Sequence, residues 1–112
     1  MNYIDVIWHT TDPADPIRLV SELDENGFET RKLEFFRDGA VGYADETTSA
    51  NGCALGELVM PPLAEINEDR QFSGVAITAG TFEELWSGRF SRPTMQSTRT
   101  RQSAPVILKR WE

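Results

Sequence analysis

Polarity alternates through residues 3–9, with Ile4, Val6 and Trp8 on one side of an extended chain and Tyr3, Asp5, Ile7 and His9 on the other. A period of two predicts a strand. A polar loop follows, stiffened by Asp12-Pro13 and Asp15-Pro16. Residues 17–24, 28–37 and 40–44 return to strand character, separated by Glu25-Asn26-Gly27 and by Asp38-Gly39. Asn-Gly and Asp-Gly suit two-residue type I′ turns, because Asn, Asp and Gly tolerate positive φ. These segments therefore predict an antiparallel meander.

Two-residue loops also set a register. They place Asp24 opposite Glu29, Glu22 opposite Arg31 and Val20 opposite Leu33, then Phe36 opposite Val41 and Glu34 opposite Tyr43. Two faces result. One carries Ile17, Leu19, Leu23, Phe28, Phe36, Val41 and Tyr43, interrupted by Lys32 and Glu34, and is expected to be the core face. The other mixes Val20, Leu33 and Phe35 with Arg18, Glu22, Asp24, Glu29, Arg31 and Arg37.

Residues 45–60 read as a Thr/Ser/Asn/Gly-rich loop, either functional or mobile. Pro61-Pro62 opens a short helix with Leu63 and Ile66 as its apolar stripe. Val75-Ala76-Ile77 predicts one more strand. Thr81-Phe82-Glu83-Glu84 has the form of a capping box, leading into a helix with Phe82, Leu85 and Trp86 on one face and Gly88 at its end. The expected fold class is α+β, an antiparallel meander sheet of four to five strands with two short helices packed on one face.

Charge divides the chain. Residues 1–88 hold 17 acidic and 5 basic side chains, a formal −12, whereas residues 89–112 hold 1 acidic and 6 basic side chains, +5. The division predicts an acidic α+β domain at 1–88 and a basic tail at 89–112. Residues 89–104 lack apolar periodicity and read as an extended linker. Val106-Ile107-Leu108 within 105–111 reads as a docking strand that cannot fold alone. The N-terminus lacks the pattern of a signal peptide, and no run of apolar residues is long enough to span a membrane, which sets a cytoplasmic expectation.

Tyr3-Ile4, Trp8-His9, the block from Ser21 to Ala44 and Phe82-Glu83-Glu84-Leu85-Trp86 resemble an uncharacterised family of small bacterial domains. The resemblance covers roughly residues 2–88. It implies a bacterial or phage accessory protein that stands alone, and it lends no catalytic residues, because the family carries no assigned activity. The tail matches nothing in that family.

Little else points to chemistry. His9 and Cys53 alone are too few for a zinc site, and Cys53 has no evident base to activate it. Gly52-Cys53-Ala54-Leu55-Gly56 lacks the Lys-Ser/Thr of a phosphate loop. No cofactor is expected. The strongest constellation is Glu22, Asp24 and Glu29 around Arg31, which the expected register gathers on one face. It reads as a cross-strand ion pair, as an acidic patch for a cationic partner, or as a carboxylate pair for glycosidic chemistry.

The leading functional expectation is a non-enzymatic protein-binding module. In its sharper form it is an inhibitor or immunity-type protein whose acidic surface covers a basic site on a nuclease, toxin or defence complex. Its contacts would be Glu22, Asp24, Glu29, Arg31, Leu33 and Phe35, with Arg99, Arg101, Lys109, Arg110 and Trp111 in the tail. A small hydrolase or transferase using carboxylates around Arg31 is the alternative. The third reading is a nucleic-acid accessory protein acting through the tail, since an acidic body repels phosphates.

Overall fold

The expected meander forms β2 (Pro16–Leu23), β3 (Glu29–Phe36) and β4 (Val41–Ala44) in a computed structural model that describes residues 1–90. β1 (Asn2–Trp8) lies between β2 and β6 (Phe72–Ile77), and the two-residue β5 (Ser49–Ala50) adds to β4. The sheet has six antiparallel strands in the order β5-β4-β3-β2-β1-β6, which corrects the expected four to five. The strand missed from pattern is β5, too short to show a period and buried in a stretch rich in loop residues. The docking strand expected at 105–111, and the tail contacts Arg99, Arg101, Lys109, Arg110 and Trp111, lie outside the described residues.

Helices α1 (Leu63–Glu68) and α2 (Ala79–Ser87) pack on opposite faces of the sheet, not on one. The parity of β1 decides this. Ile4, Val6 and Trp8 pack with Leu19, Leu23, Phe72 and, from α1, Ile66 and Leu63. Tyr3 instead joins Val20, Leu33, Phe35, Val41, Tyr43 and the α2 residues Phe82, Leu85 and Trp86. Neighbouring residues of a strand point to opposite sides, so the two clusters are two cores with the sheet between them. Each fully buried large apolar side chain contributes about 1.5–3 kcal/mol, and neither face can be left open.

Both hairpin loops are one residue longer than expected. Asp24 donates to the Phe28 carbonyl and Phe36 donates to the Ala40 carbonyl, which leaves Glu25-Asn26-Gly27 and Arg37-Asp38-Gly39 as three-residue loops. Gly27 (φ 88°) and Gly39 (φ 94°) take the positive φ that such loops need at their last position. The register consequences differ. In the first hairpin Leu23 faces Glu29 but Glu22 faces Arg31, so Thr30 is an extra residue that restores the expected pairing beyond it. In the second nothing compensates: Leu33 faces Tyr43 and Phe35 faces Val41. Val41 and Tyr43 therefore join the α2 face rather than the face predicted for them.

Helix α2 begins earlier than the capping box suggested. Thr78 is the N-cap, and its hydroxyl accepts from the Thr81 amide at 3.1 Å. α1 borders the free edge of the sheet. Its Asn67 side chain receives the Gly74 amide at 2.6 Å and donates to the Gly74 carbonyl at 2.9 Å, as a neighbouring strand would.

The stretch from 45 to 62 is fastened down. Lys32, fully buried on the α1 face, donates to the Ala54 carbonyl at 2.9 Å and pairs with Glu29 at 3.1 Å. Glu29 accepts from the Gly56 amide at 2.6 Å and from the Ser21 hydroxyl at 3.0 Å. Two buried charges thus satisfy both each other and the backbone of the loop that covers them, as a buried ion pair requires. Cys53, 2% exposed, packs inside the same loop.

Candidate functional site

The residues expected to gather around Arg31 separate. Because Thr30 is an extra residue, Glu29 turns to the α1 face and is consumed by Lys32, Ser21 and Gly56. Asp24 closes the first hairpin loop, its carboxylate accepting from the amides of Asn26 and Phe28. Leu33 is wholly buried and Phe35 nearly so, with the Arg18 guanidinium 4.9 Å over the Phe35 ring. Arg18 itself is held by Asp5 through two hydrogen bonds. Glu29 and Leu33 are thus interior groups, which corrects their placement on a contact surface.

What does meet at Arg31 is Glu22 and Glu83. Arg31 Nε and Nη2 bond Glu22 at 2.9 and 2.6 Å, while Nη1 and Nη2 bond the Glu83 carboxylate from α2. The guanidinium lies 4.8 Å over Phe82 and 5.2 Å over Trp86. The arrangement clamps α2 to the sheet by a planar, bidentate, ring-stacked cation, which a lysine could not reproduce. Glu83 was missed from sequence because the pairing is tertiary, 52 residues apart.

The clamp's electrostatics follow from that geometry. Arg31 holds the Glu22 carboxyl down to about 2, with Thr30 and the Tyr3 hydroxyl assisting against desolvation. Glu83 is also lowered by Arg31, and Arg31 is raised by both acids. Tyr3 is raised, first by desolvation and then by Glu22. Both carboxyls are ionised near neutrality, so neither holds the proton that a general acid must deliver. Its two carboxylate arms tie α2 to the sheet.

The other candidate residues are likewise occupied. His9 Nε2 lies 2.7 Å from the Ser73 hydroxyl at the exposed end of β1. Among the described residues, no three His, Cys, Asp or Glu side chains stand close enough to hold a metal ion. No described helix is long and apolar enough to cross a membrane.

A concavity of about 720 Å³ opens elsewhere, between the start of β1, the first hairpin loop, residues 59–63 and the end of β6. Met1, Ile4, Leu23, Val59, Leu63 and Ile77 supply apolar walls, and Asp24 and Glu25 stand among its lining residues. Met1 is 69% and Val59 51% exposed, large apolar side chains left in water at the groove's mouth. Alternation along β6 leaves a backbone donor and acceptor on the sheet edge next to the groove. Gly74 turns its amide and carbonyl outward to Asn67, so Ala76, two residues on, turns its own outward as well. Asn67 does not reach Ala76, which lines the groove and has no hydrogen-bond partner among the described residues. The sequence held one signal for this site, the apolar run Leu58-Val59-Met60 at the end of a polar loop.

Residues 2–91 match the family described as Domain of unknown function (DUF6881). The chain belongs to the DUF6881 family. The match agrees with the resemblance seen in the sequence blocks and runs one residue past the described fold, so residues 92–112 lie beyond it. No curated protein and no solved structure matches the chain.

Proposed function

We propose that this DUF6881 domain is a non-enzymatic protein-binding module that takes an apolar, basic-flanked segment of a partner in the groove beside β6. The carrying observation is the coincidence of apolar walls, two acidic lining residues and, on the adjoining sheet edge, an outward-facing amide and carbonyl at Ala76. An extended segment can add to such an edge through its backbone while alternate side chains enter the pocket. Charge favours a basic partner. Among the described residues Arg18, Arg31 and Lys32, three of the five cations in residues 1–88, already pair with Asp5, Glu22, Glu83 and Glu29, and acids outnumber bases in residues 1–88 by 12. Steering by this field speeds encounter and weakens with salt. In its finer form the domain is an inhibitor or immunity-type protein covering a basic surface of a nuclease, toxin or defence complex.

The test is selection from a randomised peptide library against the immobilised protein. Enriched sequences are expected to join three or four apolar residues to Lys or Arg. Ala76→Pro should remove the binding, since it deletes an outward amide that β1 does not use. Glu25→Lys should weaken it about fivefold and flatten its salt dependence. Enrichment of peptides lacking both features, or binding indifferent to both substitutions, overturns the reading.

A further inference from the structure

The chain contains a segment that fits the groove's own specification. Residues 105–111 read Pro-Val-Ile-Leu-Lys-Arg-Trp, three branched apolar residues followed by two cations. We propose that the groove beside β6 is the seat of residues 105–111 of the same chain, which an outside partner has to displace. The inference rests on the groove being a peptide-binding surface, and it names the occupant.

Three observations favour this occupant. The first is chemical. Val106 and Leu108, which share one side of an extended segment, match walls made by Ile4, Leu23 and Leu63, and Lys109-Arg110 match Asp24 and Glu25. The second is reach. The described fold ends at Phe90, and the 14 residues before Pro105 can extend to about 50 Å, more than the 35 Å longest dimension of the fold. The third is charge at long range, −11 on residues 1–90 against +4 on residues 91–112. A tether of this length gives an effective concentration around the millimolar range, so even a weak segment occupies its seat much of the time.

Docking inside the chain has a functional consequence. A groove that is filled most of the time lowers the apparent affinity for a competing partner by the fraction left open. A partner must then carry a better match than the tail does. The tail acts as a selectivity filter, set by its own mediocre fit.

Hydrogen exchange on the full-length protein tests the inference, with the synthetic peptide of residues 103–112 as the probe of groove access. Protection of the Ala76 amide and of one of the two adjacent amides Ile107 and Leu108 by about tenfold is expected, unchanged over a hundredfold dilution. The full-length double variant Val106→Asp/Leu108→Asp should lose protection at Ala76 and bind the probe at least about tenfold more tightly than the unaltered chain. Protection that fades on dilution makes a second copy the occupant and overturns the inference. Unprotected Ile107 and Leu108 amides, or equal probe affinity in both chains, also overturn it. The broader reading is judged separately: if the double variant selects apolar-basic peptides in the library experiment, the groove binds partners although the tail does not fill it.

Discussion

Arg31 and Lys32 are neighbours in sequence and opposites in structure. Arg31 points to the α2 face, keeps about a fifth of its side chain exposed and spreads its charge over two carboxylates and two rings. Lys32 points to the α1 face, is fully buried and meets one carboxylate and one backbone carbonyl. The first joins a helix to the sheet, the second a loop to the sheet. An exposed clamp can lose one arm to water at small cost, whereas a buried pair leaves an unsolvated charge when either member goes. The two faces should therefore fail differently.

The largest effect belongs to the buried face. Lys32→Met should cost on the order of 3–5 kcal/mol, because Glu29 keeps its burial and loses its cation. Denaturant unfolding measures the loss, and hydrogen exchange should show the Gly56 amide opening with it. Adding Glu29→Met to Lys32→Met should recover much of the stability. A double variant as weak as the single one would mean that the loop contacts, not the stranded charge, set the cost.

Acid should act on the other face. Glu22 titrates near 2 in the folded protein and near the ordinary carboxyl value when unfolded. Its stabilisation is complete above roughly pH 4.5 and drains away as pH falls toward 2, by about 3 kcal/mol. Unfolding curves at pH 7, 4 and 2.5 should show that decline, and Glu22→Gln should remove this part of it. An unchanged decline in the variant would move the acid sensitivity elsewhere.

Smaller effects distinguish the two arms of the clamp. Thr78→Ala should cost about 1 kcal/mol by uncapping α2, read as a shift in the denaturant midpoint. Glu83→Gln should cost less, a few tenths of a kcal/mol, since that carboxylate is 52% exposed. If Glu83→Gln matched Glu22→Gln, the clamp would have no weak arm and the contrast between the faces would narrow.

The sequence disclosed the meander because Gly27 and Gly39 mark turns by a backbone requirement that hardly depends on context. It did not disclose loop length, since a three-residue loop ending in glycine uses the same letters as a two-residue one. The Glu22–Arg31 pairing emerged correctly through two offsetting errors, a longer loop and the extra Thr30. The same offset moved Glu29 to the other face and dissolved the expected acidic cluster. Lys32 and Glu34 looked like interruptions of a core stripe, and Lys32 belongs there because the loop above it returns a carbonyl. The groove stayed hidden because its walls come from four separate segments, and the pattern within any one of them is ordinary. Local periodicity finds elements. It does not find what elements share.

Asn67 has one more consequence. A sheet grows into fibres only when both of its borders accept a further strand along several residues. Here one border is β5, two residues long, and the other is interrupted at Gly74 by an amide that mimics a neighbour. Whatever joins at Ala76 meets a full stop one step later. Among the described residues, the sheet offers no track along which copies of itself could line up.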